Sequence, residues 1–156
     1  MTTYLYFDGS CECNGAPEAR AAYGWIAKDD AGAILATGSG AVGDDLQQTN
    51  NTGEYGGLLA GLAGLAELRA RGVDLGPIIV RGDSALVINQ ARGIWTVGAA
   101  HLVPLCDQAR DLARAVGVTG WQWVRREENT EADALTRHPG GGPPGGNDAQ
   151  RATVEI

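Results

Sequence analysis

Lysine is almost absent from this chain: Lys28 stands alone among 156 residues, and the formal charge is −7. Polynucleotide binders usually carry a basic stripe or patch. The bulk charge therefore argues against such a substrate, unless bound cations cancel the negative charge where a phosphate would sit. Weak non-specific binding follows either way, because few counterions would be released. An acidic surface of the halophilic kind is the other reading of the same excess. Cysteine is scarce too. Cys11, Cys13 and Cys106 are odd in number and lack a four-ligand zinc spacing, which points to plain reduced thiols. No apolar run reaches the roughly 18 residues of a membrane span, and no charged-then-apolar leader opens the chain. These absences predict a cytoplasmic protein with no membrane partner, of a length suited to one domain.

What is present alternates between strand and helix patterns. Residues 3–8, 23–28 and 33–38 read as three strands, the last two joined by Asp29-Asp30-Ala31-Gly32, which is hairpin chemistry. Residues 39–50 read as a polar loop. From Thr52 to Arg71, Tyr55, Leu58, Leu59, Leu62, Leu65 and Leu68 recur at steps of three and four, the stripe of an amphipathic helix. Gly56, Gly57, Gly61 and Gly64 each cost that helix about 1 kcal/mol relative to alanine. Their expected compensation is close approach of the helix backbone to a sheet, and Gly72 is placed to end the helix.

Residues 77–83 predict a fourth strand, 84–90 a short helix, 99–115 another helix, 121–125 a fifth strand and 129–137 a last helix with Asn129 as its N-cap. The order βββαβααβα predicts an α/β protein, a five-stranded mixed sheet flanked by helices, spanning residues 1–138. The Gly/Pro-rich run 139–150 reads as a linker. Arg151–Ile156 recovers strand alternation and is expected to dock as a tail strand. If it pairs with a neighbour's sheet, it makes a dimer of an otherwise monomeric chain.

Four acidic residues stand out against this frame. Asp8 and Asp83 each sit where an apolar strand meets a small-residue turn, Glu54 opens the long helix, and Asp133 lies early in the last one. Were the first and fourth strands parallel neighbours, Asp8 and Asp83 would lie about 4.8 Å apart. Ions of a two-metal phosphodiester-cleaving site lie about 3.5–4 Å apart. Carboxylates so close repel unless a cation joins them. The plain alternatives are a turn aspartate at position 8, a helix cap at 83, and solvated or dipole-facing charges at 54 and 133.

Asp8-Gly9-Ser10, Thr49-Asn50-Asn51-Thr52-Gly53-Glu54, Gly82-Asp83-Ser84 and Glu128-Asn129-Thr130-Glu131-Ala132-Asp133-Ala134-Leu135 together resemble the four signature segments of type 1 ribonuclease H, in the family's order over residues 3–137. The resemblance implies a ribonuclease H-like fold and endonucleolytic hydrolysis of the RNA strand of RNA/DNA hybrids, leaving 5′-phosphate and 3′-hydroxyl ends. It implies two Mg²⁺ or Mn²⁺ ions. One is held mainly by Asp8 and Asp83 and serves the attacking hydroxide. The other is held by Asp8, Glu54 and Asp133 and steadies the leaving oxygen. Asn14, Asn50 and Asn51 match positions that read the shallow groove, where the 2′-hydroxyl distinguishes RNA. Thr49 with Asn14 resembles a pocket for a DNA-strand phosphate.

The chain departs from many relatives in three ways. No histidine loop precedes the last helix: Val124-Arg125-Arg126-Glu127-Glu128-Asn129 closes that gap, which leaves Arg125, Arg126 or the more distant His138 to assist. The basic substrate-gripping protrusion is missing, since residues 91–98 hold only Arg92 as a cation. Ala85 stands where a polar side chain often helps to read RNA. These departures resemble archaeal-type members and their bacterial relatives, and predict a weaker grip with double-stranded RNA as an additional substrate. A non-catalytic nucleic-acid-binding module on the same scaffold, or a superfamily nuclease acting on DNA, is the alternative.

Overall fold

The computed structural model describes residues 1–137. Five strands, β1 (Thr3–Glu12), β2 (Arg20–Asp29), β3 (Ile34–Ala41), β4 (Ile78–Gly82) and β5 (Val118–Trp123), form one mixed sheet in the order β3-β2-β1-β4-β5. The helices are α1 (Asn50–Ala70), α2 (Ala85–Ala91), α3 (Val103–Val116) and α4 (Thr130–Thr136). Short 3₁₀ turns precede α3 at Ala100–Leu102 and α4 at Arg126–Glu128. β1 pairs antiparallel with β2 and parallel with β4, and β4 pairs parallel with β5. The expected βββαβααβα order is therefore the observed one. The linker at 139–150, the tail strand at 151–156 and His138 lie outside the described residues. Among those described, no helix is long and apolar enough to cross a membrane.

The hairpin between β2 and β3 closes as the sequence suggests. Gly32 takes φ +86, and the Asp29 carboxylate accepts from the amides of Ala31 and Ala33. Several boundaries differ from expectation for definable reasons. β1 does not stop at Asp8 but runs on through Gly9 and Ser10 to Glu12, because β2 continues to pair with it as far as Arg20. β3 extends through Gly38 and Gly40, which pair with Trp25 and Tyr23 and leave room for their side chains where a Cβ would stand. β5 starts at Val118 and ends at Trp123, so Arg125 lies beyond the sheet.

The leucine stripe of α1 is wholly buried: Tyr55, Leu58, Leu59, Leu62 and Leu65 are 0% exposed. They pack with Leu5, Phe7, Trp25, Val80 and the apolar faces of α2 and α3 into one core cluster. α4 covers the opposite face, where Ala132 and Leu135 meet Ile26 and Tyr6. The α1 glycines are what let the helix lie against the sheet. A Cβ on Gly57 would stand 2.7 Å from the Asp8 carbonyl oxygen, and one on Gly64 would stand 2.4 Å from the Trp25 ring. From the sheet side, a Cβ on Gly9 would meet the Glu54 amide at 2.1 Å. Gly72, at φ +88, ends the helix. The amide of Val73 then reaches back to the carbonyl of Leu68.

These contacts rank the glycines. Gly57→Ala meets backbone on two strands, and overpacking of that kind costs about 1–3 kcal/mol. Gly61→Ala meets only the flexible end of Leu5 and recovers helix propensity. Thermal melts should therefore show a clear loss for Gly57→Ala and little or none for Gly61→Ala. Equal effects would mean that the close approach at Asp8 does not constrain the helix.

Candidate functional site

Asp8 follows the last β1–β4 pair, Phe7 with Gly82, and Asp83 follows it in the same register. Two parallel strands thus deliver their next residues side by side. α1, pressed onto β1 by its glycines, brings Glu54 to the same place. One carboxylate oxygen from each of Asp8, Glu54 and Asp83 lies within 4.8 Å of the others. Asp133 joins them in the wall of a cleft of about 420 Å³, with Ser10, Asn50, Asn51, Ser84 and Arg126. The carboxylate of Asp133 turns partly aside, accepting from Arg137 Nη2 at 2.9 Å.

Burial makes this cluster costly. Asp8 is 5% exposed and Glu54 8%. Desolvation, opposed by a hydrogen bond with Glu54 and reinforced by the charge of Asp83, pushes the Asp8 carboxyl up to about 7. Glu54 is raised well above the usual carboxylate range, first by burial and then by the charge of Asp8. Glu54 Oε2 is buried with no hydrogen-bond partner. A desolvated acceptor of that kind is expensive to leave unpaired. Three hard oxygen donors, two of them buried, with one acceptor orphaned, fit a divalent cation of the magnesium class.

The plain alternatives lose ground here. Asp83 does not cap α2: Ser84 is the N-cap, its Oγ accepting from the amide of Val87. Glu54 is not in the first turn of α1, which contains no acidic residue. Asp8 is not a turn aspartate, because β1 continues past it.

The substrate-facing candidates divide into two groups. Asn50 and Asn51 line the carboxylate cleft. Asn14 and Thr49 line a separate cleft of about 560 Å³ with Arg20 and Gln48. The hydroxyl of Thr49 is already engaged, capping α1 by accepting from the amide of Thr52. Arg126 reaches the carboxylate cleft. Arg125 is exposed and is not among the residues lining it.

Asn129 corrects an expectation. It precedes α4 as foreseen, but its side chain makes no cap hydrogen bond. Instead its Nδ2 donates to the carbonyl of Phe7 at 2.8 Å, with the residue 1% exposed. The bond ties the start of α4 to the residue before Asp8. Trp123 was not foreseen: its Nε1 donates to the carbonyl of Asp83 at 3.0 Å. Neither role carries a local sequence signal, since both partners are backbone atoms distant in the chain.

Comparison with known proteins places this geometry in context. The family model described as reverse transcriptase-like matches residues 6–138. The bifunctional protein Rv2228c of Mycobacterium tuberculosis is 36% identical over 86% of this chain, which spans only 34% of that relative. Ribonuclease HI of Halobacterium salinarum is 35% identical over 85% of this chain and is spanned over 61% of its own length. Among solved structures, RNase H1 of Halobacterium salinarum superposes with TM-score 0.71 at 34% identity, covering 88% of this chain and 96% of that one. The N-terminal RNase H domain of Rv2228c gives 0.74 at 31% identity, covering 89% and 98%. LC11-RNase H1, solved in complex with an RNA/DNA hybrid, gives 0.77 at 26% identity, covering 88% and 96%.

The raised carboxyls have a stability consequence with a definite sign. Between about pH 4 and pH 7 the folded chain holds protons on Asp8 that the unfolded chain has released. Folding stability therefore falls as pH rises through that window, and no penalty exists below it. In chelator-treated protein, Asp8→Asn should match wild type near pH 4. It should melt higher near pH 7.5 by about 3 °C or more, roughly 1 kcal/mol in a chain of this size. Added Mg²⁺ should close the gap by stabilising the wild type. Parallel melting curves for the two proteins across that range would contradict the repulsion.

Proposed function

The chain belongs to the type 1 ribonuclease H family, and from that premise we propose that it hydrolyses the RNA strand of RNA/DNA hybrids, cutting internally and leaving 5′-phosphate and 3′-hydroxyl ends. The observation that carries this reading is the convergence of Asp8, Glu54 and Asp83, with their oxygens within 4.8 Å of one another. A purely binding module would gain nothing from anions facing phosphates. That weighs against the non-catalytic reading.

Asp8, Glu54 and Asp83 would hold divalent cation, Mg²⁺ or Mn²⁺, with Asp133 as the fourth carboxylate; we assign two ions to this set. When bound, such ions supply Lewis-acid polarisation of the phosphate and a nucleophile at neutral pH. The protein's own contribution is positional. Asp8 and Asp83 are fixed by strand register and Glu54 by the packing of α1, so no rearrangement is needed as charge develops. Asn50 and Asn51 offer short amides that both donate to and accept from a 2′-hydroxyl. Asn14, with the backbone around Thr49, faces a DNA-strand phosphate. Arg126 adds a cation at the cleft wall, and Arg125 and His138 are further candidates for that role.

We extend the proposal to double-stranded RNA as a slower substrate. Ala85 brings no polar atom to the substrate, and the Ser84 hydroxyl is occupied in capping α2. The working state is a monomer in the cytoplasm, where hybrids arise from priming and transcription.

Each carboxylate should be indispensable. Metal-assisted charge stabilisation is worth several kcal/mol, and about 4 kcal/mol is roughly a thousandfold in rate. Asp8→Asn and Asp83→Asn should each lower cleavage of a labelled hybrid by about that factor in Mg²⁺, with circular dichroism unchanged. Wild-type turnover in either variant would sink the proposal. The same assay run on hybrid, double-stranded RNA and double-stranded DNA should give the order hybrid, then RNA duplex, with DNA uncut. Cleavage of the DNA duplex would favour the superfamily-nuclease reading instead.

A further inference from the structure

Three of the few cations in this acidic chain gather in a cleft separate from that of the carboxylates. A cleft of about 280 Å³ is lined by Arg92, Arg110 and Arg114 with Trp121, completed by Ala91, Ala113 and Val118. Arg92 is the C-cap of α2, Arg110 and Arg114 lie one turn apart on α3, and Trp121 is on edge strand β5. No carboxylate lines it.

Like charges spaced i,i+4 on a helix are mildly destabilising. A third guanidinium in the same cleft adds to that repulsion. Capping the end of α2 accounts for one of them. Arg110 Nη2 donates to the carbonyl of Gln90 at 3.3 Å and lies over Gly93, whose Cβ would meet it at 2.9 Å. That contact holds the Arg110 fork in place but leaves Arg92 and Arg114 unexplained. Arg114 pairs with Asp111, yet both side chains are 76% exposed. A pair so exposed is worth little and yields readily to a better anion.

We propose that this cleft is an anion site that takes the phosphate of a nucleotide, gripped by Arg92, Arg110 and Arg114, with the Trp121 indole beside the base. Guanidinium forks match phosphate oxygens in geometry as well as charge. An indole supplies a stacking surface for any base. Free nucleotide and the phosphorylated end of a strand present the same chemistry here. The site does not depend on cleavage at the carboxylates, and its test needs no divalent metal.

The experiment is titration of the full chain, in chelator at low salt, by calorimetry and tryptophan fluorescence. The probes are inorganic phosphate, adenosine 5′-monophosphate and a 5′-phosphorylated dinucleotide. The mononucleotide should bind saturably and more tightly than inorganic phosphate, and Trp121→Phe should reduce that advantage. The double variant Arg92→Gln/Arg114→Gln alters two exposed side chains and should keep its fold. It should weaken mononucleotide binding about tenfold or more, equivalent to roughly 1.4 kcal/mol. Arg71→Gln, which removes one charge at the exposed C-cap of α1, should leave it unchanged. A dinucleotide that binds as well as the mononucleotide assigns the cleft to strand ends, and one that does not assigns it to free nucleotide. Three results would overturn the proposal: no saturable binding, equal affinity in the double variant, or no preference for mononucleotide over phosphate.

Discussion

Everything at the carboxylate site depends on how closely α1 lies against β1. Left to electrostatics, the three acids would separate, because burial and the charge of neighbouring carboxylates disfavour the charged forms of Asp8 and Glu54. They stay together because the backbones carrying them are committed elsewhere. Asp8 is locked between β2 and the end of the β4 ladder. Glu54 is carried by a helix whose leucines are fully buried and whose glycines meet the sheet at backbone distance. Hydrophobic burial, at about 1.5–3 kcal/mol for each large side chain, outweighs the repulsion of three acids. The free energy of the core is thus what holds the carboxylate cluster together.

The same contact explains why glycine is used so heavily where helix propensity would forbid it. Gly53, Gly57 and Gly61 rest on β1 and β2, and Gly9 offers the sheet's half of the approach. Alanine at Gly53 or Gly57 would meet the backbone of those strands and press α1 away from them, whereas at Gly61 it would meet only the flexible end of Leu5. Glu54, which lies between Gly53 and Gly57 in the chain, would shift relative to Asp8 in the first two cases. Packing and function are therefore not separable along this helix, and the propensity lost at each glycine is the cost of placing one carboxylate.

Much of this was legible in the sequence, and the parts that were not share a physical cause. The step-three and step-four stripe located α1, and short apolar runs between turn residues located, to within a few residues, the strands and shorter helices among the described residues. The adjacency of Asp8 and Asp83 followed from parallel pairing of two apolar strands. Strand ends were less visible. β1 reads as finished at Asp8-Gly9-Ser10, since small polar residues resemble a turn. It continues because β2 offers a partner out to Arg20. The role of Asn129 was misread for a related reason. An asparagine before a helix is ordinarily a cap, and nothing local announces that the carbonyl of Phe7 is a better acceptor for its amide. Trp123 was hidden in the same way, its partner being a backbone oxygen forty residues earlier. Side-chain to backbone bonds across the fold leave no periodic trace.

Those two bonds have a joint consequence. The segment from β5 to α4 is short and lacks a histidine-bearing loop, yet it is fastened at each step to the strand ends that carry the acids. Trp123 donates to the carbonyl of Asp83, the amide of Val124 to that of Gly82, and Asn129 to that of Phe7. A longer loop could swing a titratable group in and out of the cleft. A connection pinned at three points keeps Arg126 at the cleft wall and Asp133 on a helix that cannot drift from β1. Within this segment the cleft therefore meets a fastened rim, and the charge that Arg126 brings to its wall is held by the fold rather than carried on a swinging loop.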